Sequence, residues 1–424
     1  MTASRVESSR LKGMERLVSA NRAAARLRRR GHTSPSQGNI PECSLKSRFG
    51  LAGAVLILAA CAAQTSSGTD QREGRAGLPV LLIDLHNDVT SQTVKGVDIG
   101  IRRTAGHTDI PRLREGGVGA VFFAAYVAPS YAASSGSARR LLEMIDTVRH
   151  DIAGRHRDDV VLALTADGIE KAHREGRIAA LIGIEGGHAI EDSLRVLRAS
   201  FDLGVRYMTL THSNTNNWAD SSGDIDDPKV RRHGGLTDFG REVVREMNRL
   251  GMMVDVSHVS DESFWDVLEV SRAPVIASHS SCRALSNIAR NMTDEMIAAL
   301  AAKGGVVHVN IGCEFLNQAS ADASPYFNPA LRRRKAPGPV PRATLDDVVA
   351  HIDHVVKVGG IGTVGIGSDF DGVECTPVGL DDVSRFPNLI RALTIKGYSA
   401  DDIRKILGEN TLRVMRGVEA EAGR

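Results

Sequence analysis

Short apolar runs alternate with longer amphipathic stretches from about residue 79 to the end of the chain. The runs are rich in Val, Ile, Leu and Ala and do not alternate with polar residues, a pattern typical of buried parallel strands. Eight strands are predicted, at 80–87, 118–127, 179–185, 205–211, 252–257, 274–278, 305–311 and 363–368. Helices are predicted between them at 138–153, 191–203, 237–250, 261–271, 293–303 and 344–358.

This strand–helix alternation predicts an α/β fold, a (β/α)8 TIM-type barrel. Helices predicted at 380–396 and 400–416 would close it at the C-terminus. An open, doubly wound sheet is the alternative, but no Gly-x-Gly-x-x-Gly follows the first strand. The proline-rich segment 314–342, with its basic run 332–335, predicts a long insertion after the seventh strand that acts as a lid or a subunit contact.

The first 60 residues differ from the rest of the chain in charge. They carry 11 Lys and Arg against 3 Asp and Glu, so the overall formal charge of +2 leaves −6 for the remainder. A slightly acidic body lacks the basic surface that nucleic-acid-binding proteins present. We therefore expect no nucleic acid partner.

An uncharged run from Phe49 to Cys61 follows Lys46 and Arg48. It is shorter than the ~18–20 apolar residues of a membrane span and has the length of a signal-peptide core. Its end, Leu-Ala-Ala-Cys, resembles the cleavage box of bacterial lipoproteins, which implies cleavage before Cys61 and acylation of its sulfur. A buried helix is the alternative.

Three parts of the chain follow from this pattern. Residues 1–60 would be a basic N-terminus with a lipoprotein-like signal peptide, 61–78 a flexible tether, and 79–424 the barrel. We therefore predict an exported protein, anchored by lipid to the periplasmic or extracellular face of a bacterial membrane.

The cysteines show no Cys-x-x-Cys spacing, which argues against a cysteine–zinc site. Three of them, Cys282, Cys313 and Cys375, fall within the predicted barrel. We expect buried free thiols there, with a Cys282–Cys313 disulfide as the alternative, because both residues follow predicted strands at the same end of the sheet and export permits disulfides.

Metal-ligand side chains follow four of the predicted strands. In a barrel the C-terminal strand ends form one face, where active sites are built. Histidine and carboxylate ligands of this kind suit Zn²⁺, so the set predicts a metal-dependent hydrolase. The five predicted ligands are His86, Asp88, Glu185, His258 and His279.

Two of these strand ends carry further detail. His86 and Asp88 stand two residues apart, so in an extended strand both can face one ion. Glu185 precedes two glycines, and its two carboxylate oxygens could bridge two ions; an acid at a helix N-terminus is the alternative for this residue.

The ends of the fourth and eighth predicted strands and the loop after the sixth provide candidates for catalysis and substrate binding. His212 could donate a hydrogen bond to an oxyanion, and Arg290 could hold a substrate carboxylate in a bidentate fork. Asp369 could act as general base or proton shuttle. Asp371 precedes Gly372, which favours a turn-forming role for it. For His212 and Arg290, a strand-end histidine with satisfied hydrogen bonds and a surface salt bridge are the alternatives.

The motifs IDLHNDV, IGIEGGHAI, YMTLTHSNTNNWADS, VDVSHVSDESFWDVL, PVIASHSSCRAL, RNMTDE and GIGSDFDGV, in this order over about residues 80–410, resemble the membrane dipeptidase (renal dipeptidase) family of zinc peptidases. The resemblance implies hydrolysis of dipeptides, with tolerance of a D-residue at the C-terminal position, by a hydroxide bridging two Zn²⁺ ions. It also implies a homodimer. One departure is Ile288-Ala289, where the family often has His-Pro.

The resemblance also implies a role for each candidate. One ion would be held by His86, Asp88 and Glu185, and the other by Glu185, His258 and His279. Substrate would be bound by His212 and Arg290, and protons would be moved by Asp369. Hydrolysis of another amide, lactone or β-lactam bond is the alternative activity, and a non-catalytic binding module is a further one.

Overall fold

The computed structural model describes residues 80–331 and 341–423. The predicted signal peptide, the tether, the acylation site at Cys61 and the basic run 332–335 lie outside the described residues. Among the residues described, no helix combines the length and the apolar character needed to cross a bilayer.

Nine parallel strands form the sheet, and eight of them close into a barrel. Strand β4 pairs with both β2 and β5, while β1 pairs with both β2 and β9, so the eight barrel strands have no free edge. The strands are β1 Leu82–Asn87, β2 Val118–Tyr126, β3 Val160–Leu162, β4 Ile178–Glu185, β5 Val205–Thr209, β6 Met253–Asp255, β7 Ile276–Ala277, β8 Val306–Val309 and β9 Val364–Ile366. The predicted (β/α)8 barrel is confirmed.

The helices surround the barrel, and most of those that follow a strand begin after a Ser or Thr whose side chain accepts a backbone N–H of the first turn. They are α1 Thr90–Thr93, α2 Ile110–Glu115, α3 Ser137–Asp146, α4 Ala166–Arg174, α5 Leu194–Asp202, α6 Asp238–Leu250, α7 Asp261–Val270, α8 Asp294–Ala302, α9 Cys313–Leu316, α10 Gln318–Ala323, α11 Leu345–Gly359, α12 Phe386–Lys396, α13 Ala400–Arg404 and α14 Asn410–Glu421. A π-helical turn, Thr147–Gly154, extends α3, and another, Lys405–Glu409, joins α13 to α14.

The barrel interior positions one aromatic side chain under the site. Tyr207 on β5 is fully buried, and its ring occupies the space above Gly183 on β4, where a Cβ would come within 1.9 Å of the ring. Only glycine leaves room for the ring there, and the phenol oxygen thereby reaches His86 on β1.

The prediction of buried free thiols is confirmed for Cys282 and wrong for Cys313 and Cys375, and the alternative Cys282–Cys313 disulfide is not formed. Cys313, at the start of α9, forms a disulfide with Cys375 in the loop after β9, and Cys282 is a buried free thiol. Cys282 instead contacts His351 of α11: its N–H donates to Nδ1 of that ring at 3.0 Å, and its thiol donates to the His351 carbonyl at 3.5 Å. Strand β3 is a further difference: it pairs only with β4, at the side of the barrel, and was not predicted.

Candidate metal centre

One oxygen of Glu185 lies at the centre of the cluster that forms at the C-terminal ends of the barrel strands. Glu185 is the last residue of β4 and is buried. Its Oε1 lies 3.2 Å from Nε2 of His258, 3.6 Å from Nε2 of His279, 3.6 Å from Nε2 of His212 and 3.7 Å from Nε2 of His86. Four imidazoles from four strand ends therefore converge on a single carboxylate oxygen.

His86 and Asp88 approach each other at the end of β1. Nε2 of His86 lies 3.2 Å from Oδ2 of Asp88, and this nitrogen is buried without a hydrogen-bond partner among the described residues. The other ring nitrogen, Nδ1, lies 2.7 Å from the hydroxyl oxygen of Tyr207. The ring is thus held from behind, while Nε2 faces the carboxylates.

His258 and His279 also face each other with the nitrogens that metals prefer. Their Nε2 atoms are 2.9 Å apart, and burial lowers the pKa of both imidazoles well below the usual value, helped by the charge of Arg290. The backbone of His258 has φ +69°, a left-handed conformation that few non-glycine residues adopt. Backbone strain therefore coincides with a predicted metal ligand.

The electrostatics of the cluster fit a bound cation. Burial and the charge of Asp88 raise the pKa of Glu185 well above its usual value and that of Asp369 to about 7. Burial alone would lower the pKa of His86, but the charges of Asp88 and Glu185 outweigh it and raise that pKa to about 10. Carboxylates that hold protons this strongly are short of positive charge, which a divalent ion would supply.

The donor set has the chemistry of a metal site. Its ligand atoms are imidazole nitrogens and carboxylate oxygens, and the unpartnered Nε2 of His86 points among them. Within 4.8 Å the ligand atoms form three groups: His86, Glu185 and His279; Glu185, His212 and His258; and His86, Asp88 and Asp369. Glu185 and His86 each belong to two of the three groups, and of these two only the carboxylate has two oxygens with which to bridge two ions.

These groups overlap with the two predicted ligand sets without reproducing them, since His279 is grouped with His86 and His258 with His212. The predicted set of Glu185, His258 and His279 also fits by distance, because the two Nε2 atoms are 2.9 Å apart and lie 3.2 and 3.6 Å from Oε1 of Glu185. His212 lies as close to Glu185 as His279 does, so distance alone does not separate a ligand from a substrate-binding residue.

Asp369 and Asp88 are brought together where β1 and β9 end. The Asp88 N–H donates to the Phe370 carbonyl at 2.9 Å, and the Asp369 N–H donates to the His86 carbonyl at 3.0 Å. A Cβ on Gly372 would lie 2.4 Å from an oxygen of each carboxylate, so both can approach only because residue 372 is glycine. Asp369 has φ +61°, and one of its oxygens accepts a hydrogen bond from Asn310 at 2.7 Å.

Asp371 has φ +66°, and its N–H donates to Nδ1 of His107 at 2.9 Å while its Oδ1 accepts from the His107 N–H. These contacts fit the turn-forming role that the sequence favours for it. Arg290 lies in the loop after β7, next to His279, and is buried. Its two terminal nitrogens donate to Oγ of Ser280 and to the carbonyl of His279, and its guanidinium lies over the ring of Phe315, 5.2 Å from the centroid.

The cluster opens into a cavity of about 590 Å³. Residues of the segment after β8 form one wall, and Tyr326 from that segment is hydrogen-bonded to Ser213 in the loop after β5. The described part of the predicted insertion therefore covers the site. The cavity is lined by Asp88, Ser91, Tyr126, Glu185, His212, His258, Arg290, Glu314, Phe315, Ser324, Pro325, Tyr326, Phe327, Asp369, Asp371, Gly372, Val373 and Glu374.

Sequence reasoning missed the aromatic wall of this cavity. Tyr126 ends β2 and lies against the His212 ring, with centroids 4.8 Å apart, and Tyr326 and Phe327 pack edge to face. Tyr126 could have been found, because it is the polar end of an apolar strand; Tyr326 and Phe327 lie in an irregular segment that has no periodicity to read.

Residues 78–424 match the profile of a protein family described as "Membrane dipeptidase (Peptidase family M19)". A dipeptidase, verJ, of Clonostachys rogersoniana is 40% identical over 356 residues, which cover 80% of this chain and 84% of that protein.

Two solved structures are similar over the whole barrel. A metallopeptidase of Rhodobacter sphaeroides, crystallised with a phosphinate mimic of L-Ala-D-Ala, is 28% identical with a TM-score of 0.68, covering 80% of this chain and 99% of that one. A dipeptidase of the M19 family is also 28% identical, with a TM-score of 0.69, covering 81% of this chain and 99% of that one.

Proposed function

Because this chain belongs to the membrane dipeptidase family of metallopeptidases, we propose that its barrel hydrolyses dipeptides with the aid of two zinc ions. The observation that carries the proposal is the position of Glu185, whose Oε1 lies within 3.7 Å of four imidazole nitrogens. A carboxylate in that position can hold two ions at once.

The ligands divide into two sets that share Glu185. His86, Asp88 and Glu185 would hold one ion, and Glu185, His258 and His279 the other. When bound, the ions would lower the pKa of a water molecule and polarise the scissile carbonyl. The remaining side chains have the work of binding, orienting and moving protons.

Asp369 is the residue we assign to proton transfer. Its pKa is raised to about 7 by burial and by the charge of Asp88, which is close to the value at which a general base works best near neutral pH. Asn310 occupies one of its oxygens, so the other oxygen is free to take a proton from the attacking water. The same carboxyl would then deliver that proton to the departing amine.

His212 is assigned to the oxyanion. Burial and the charge of Arg290 lower its pKa to about 3, so the ring is neutral and carries one N–H. Its side chain keeps 17% exposure in the cavity, which lets that N–H reach a substrate oxygen. A neutral donor stabilises negative charge that develops in the transition state without binding the ground state as strongly as a cation would.

Arg290 is assigned to the free carboxylate of the substrate. A buried guanidinium at the cavity wall offers a two-pronged contact to a planar carboxylate, and it favours substrates whose carboxylate lies one residue beyond the scissile bond. Tolerance of a D-residue at that position is supported by the resemblance and by the L-Ala-D-Ala mimic bound to the Rhodobacter sphaeroides relative.

Metal analysis coupled to a substrate panel tests this proposal. The purified protein is expected to carry two zinc ions, to lose activity on chelation and to regain it with zinc. The panel contains L,L and L,D dipeptides, tripeptides, a lactone and a β-lactam. Turnover of the lactone or β-lactam alone would replace peptide hydrolysis with the alternative activity, and one ion per chain would remove the bridging role of Glu185.

We also propose that the protein is exported, is anchored to a bacterial membrane by acylation of Cys61, and forms a homodimer. The support for the anchor is the charged and apolar pattern before Cys61, and the support for the dimer is the family resemblance. Labelling with a radioactive fatty acid, lost in Cys61→Ser, tests the anchor. Sedimentation of the soluble barrel tests the dimer; a monomer at micromolar concentration would reject it.

A further inference from the structure

Two buried aspartates hold two serines in the same way at separate places in the barrel. Oδ1 of Asp255 accepts the Ser278 N–H at 2.8 Å, and its Oδ2 accepts the Ser278 hydroxyl at 2.5 Å. Oδ1 of Asp84 accepts the Ser368 N–H at 2.8 Å, and its Oδ2 accepts the Ser368 hydroxyl at 2.6 Å. All four residues are fully buried. We call these two arrangements the aspartate–serine clamps.

The two clamps differ in the groups that the serine oxygen contacts in addition to its aspartate. Oγ of Ser278 also lies 2.7 Å from Nδ1 of His279, a proposed metal ligand. Among the described residues, Oγ of Ser368 has no imidazole as hydrogen-bond partner; it accepts the Phe370 N–H at 3.1 Å and lies 3.2 Å from the His86 carbonyl. Only the first clamp can act on a histidine ring.

The protons of the first clamp can be assigned by counting donors. The Asp255 carboxylate accepts four hydrogen bonds, from the N–H groups of Ser257 and Ser278 and from the hydroxyls of Thr209 and Ser278. A carboxylate only accepts, so the single hydroxyl proton of Ser278 lies on the 2.5 Å contact to Asp255. The Ser278 oxygen is then an acceptor toward His279, and Nδ1 of His279 must carry the ring proton.

This proton arrangement leaves a lone pair on Nε2 of His279, the nitrogen that faces Glu185 at 3.6 Å. We infer that the Asp255–Ser278 clamp is a positioning device that fixes the tautomer and the orientation of His279 and so sets how tightly this side of the centre binds its ion. The inference rests on the proposed function in one respect only, the role of His279 as a ligand. Groups that hold a ligand histidine from behind in this way typically change metal affinity 10- to 100-fold when removed.

The test is zinc affinity of the intact protein, measured by competition with a chromogenic chelator. Ser278→Ala is expected to lower the affinity for one of the two zinc ions by about 10- to 100-fold. Ser278→Thr keeps the hydroxyl and is expected to bind zinc within a few-fold of wild type. Ser368→Ala is the matched control: it removes the same hydroxyl from the other clamp, where no imidazole depends on it, and is expected to leave both zinc affinities unchanged.

Asp255→Asn gives an independent check with nearly unchanged shape. An amide N–H toward Ser278 would donate to the serine oxygen, so the serine hydroxyl would donate to Nδ1 of His279 instead. The ring proton would then lie on Nε2, and the affinity for the same zinc ion would fall. Equal affinities in Ser278→Ala and Ser368→Ala would overturn the inference. His279→Ala separates the two levels: if it also leaves both affinities unchanged, the proposed ligand set fails, whereas a loss in His279→Ala alone rejects only the clamp.

The position of the ring proton can also be measured in the wild-type protein itself. Long-range nitrogen NMR of the metal-free protein, with the His279 signals assigned by their absence in His279→Ala, reports which ring nitrogen carries the proton. A proton on Nδ1 is the expected result. A proton on Nε2 would contradict the donor count and with it the inference.

Discussion

Removing the Cys313–Cys375 disulfide should lower both the stability of the barrel and its affinity for substrate. The bond joins positions 62 residues apart. Closing a loop of that length lowers the entropy of the unfolded chain, which stabilises the folded state by about 4 kcal/mol. A domain of roughly 350 residues unfolds with an entropy on the order of 0.7 kcal/mol/K, so the melting temperature should fall by about 6 °C.

The substrate effect follows from where the bond lies. The residues next to each cysteine, Glu314 and Glu374, line the cavity, and the Cys313 N–H also donates to the Cys375 carbonyl at 3.0 Å. Without the bond, that hydrogen bond and the packing of Val373 against the cluster that contains Phe315 remain between the two loops. We expect KM for dipeptides to rise several-fold, with a smaller change in kcat because the proposed ligands lie on the strand ends.

The assay compares wild type with Cys313→Ser/Cys375→Ser by calorimetry and steady-state kinetics, with and without a phosphine reductant. Reductant should lower the melting temperature of wild type by about the same 6 °C and should not affect the double variant. A change below about 1 °C on substitution, with the bond shown by mass spectrometry to form in wild type, would refute the loop-entropy reasoning.

Three further outcomes are expected. Asp369→Asn should keep both ions yet lower kcat by about 10²–10⁴, checked by metal analysis and initial rates; wild-type turnover would dismiss the proton-transfer role. Arg290→Ala should raise KM for dipeptides by roughly 10-fold or more while leaving an uncharged, amidated analogue little affected, and equal changes for both substrates would remove the carboxylate contact. In the chelated protein the raised pKa of His86, about 10, means that its stabilisation is complete below pH 6.5 and is lost as pH rises toward 10; the melting temperature should therefore fall between pH 7 and 10, and a flat profile would count against this electrostatic account.

Strand periodicity was enough to predict the barrel, because buried parallel strands need continuous apolar runs. Strand β3 escaped because only Val160–Leu162 pair, against one edge of β4, and Val161 and Leu162 are only partly buried, so the segment lacks the long apolar run that marks the others. Strand β7 pairs over just Ile276–Ala277, and its apolar run continues beyond the paired residues. Which strands pair with each other depends on how the barrel closes, and a local sequence pattern does not contain that information.

The candidate site could be predicted in its members more than in its contacts. All eight candidate residues of the barrel site lie together around the cavity or the cluster, since each stands at a strand end or, for Arg290, in the loop that follows one, and the fold brings these to one face. The disulfide and the clamps depend on which loops meet. A signal for the clamps was nevertheless available: Asp84 and Asp255 interrupt strands that are otherwise apolar, and a buried carboxylate requires hydrogen-bond donors from its neighbours.

The left-handed backbone at His258, Asp369 and Asp371 has a bearing on how this enzyme could be improved or could decay. Conformations of this kind cost on the order of 1 kcal/mol each, and glycine adopts them without the penalty. A laboratory selection that rewards heat resistance alone would therefore favour glycine at the very positions that aim a ligand and a base. Selecting for turnover in the same experiment would prevent the outcome of a more stable but inactive protein.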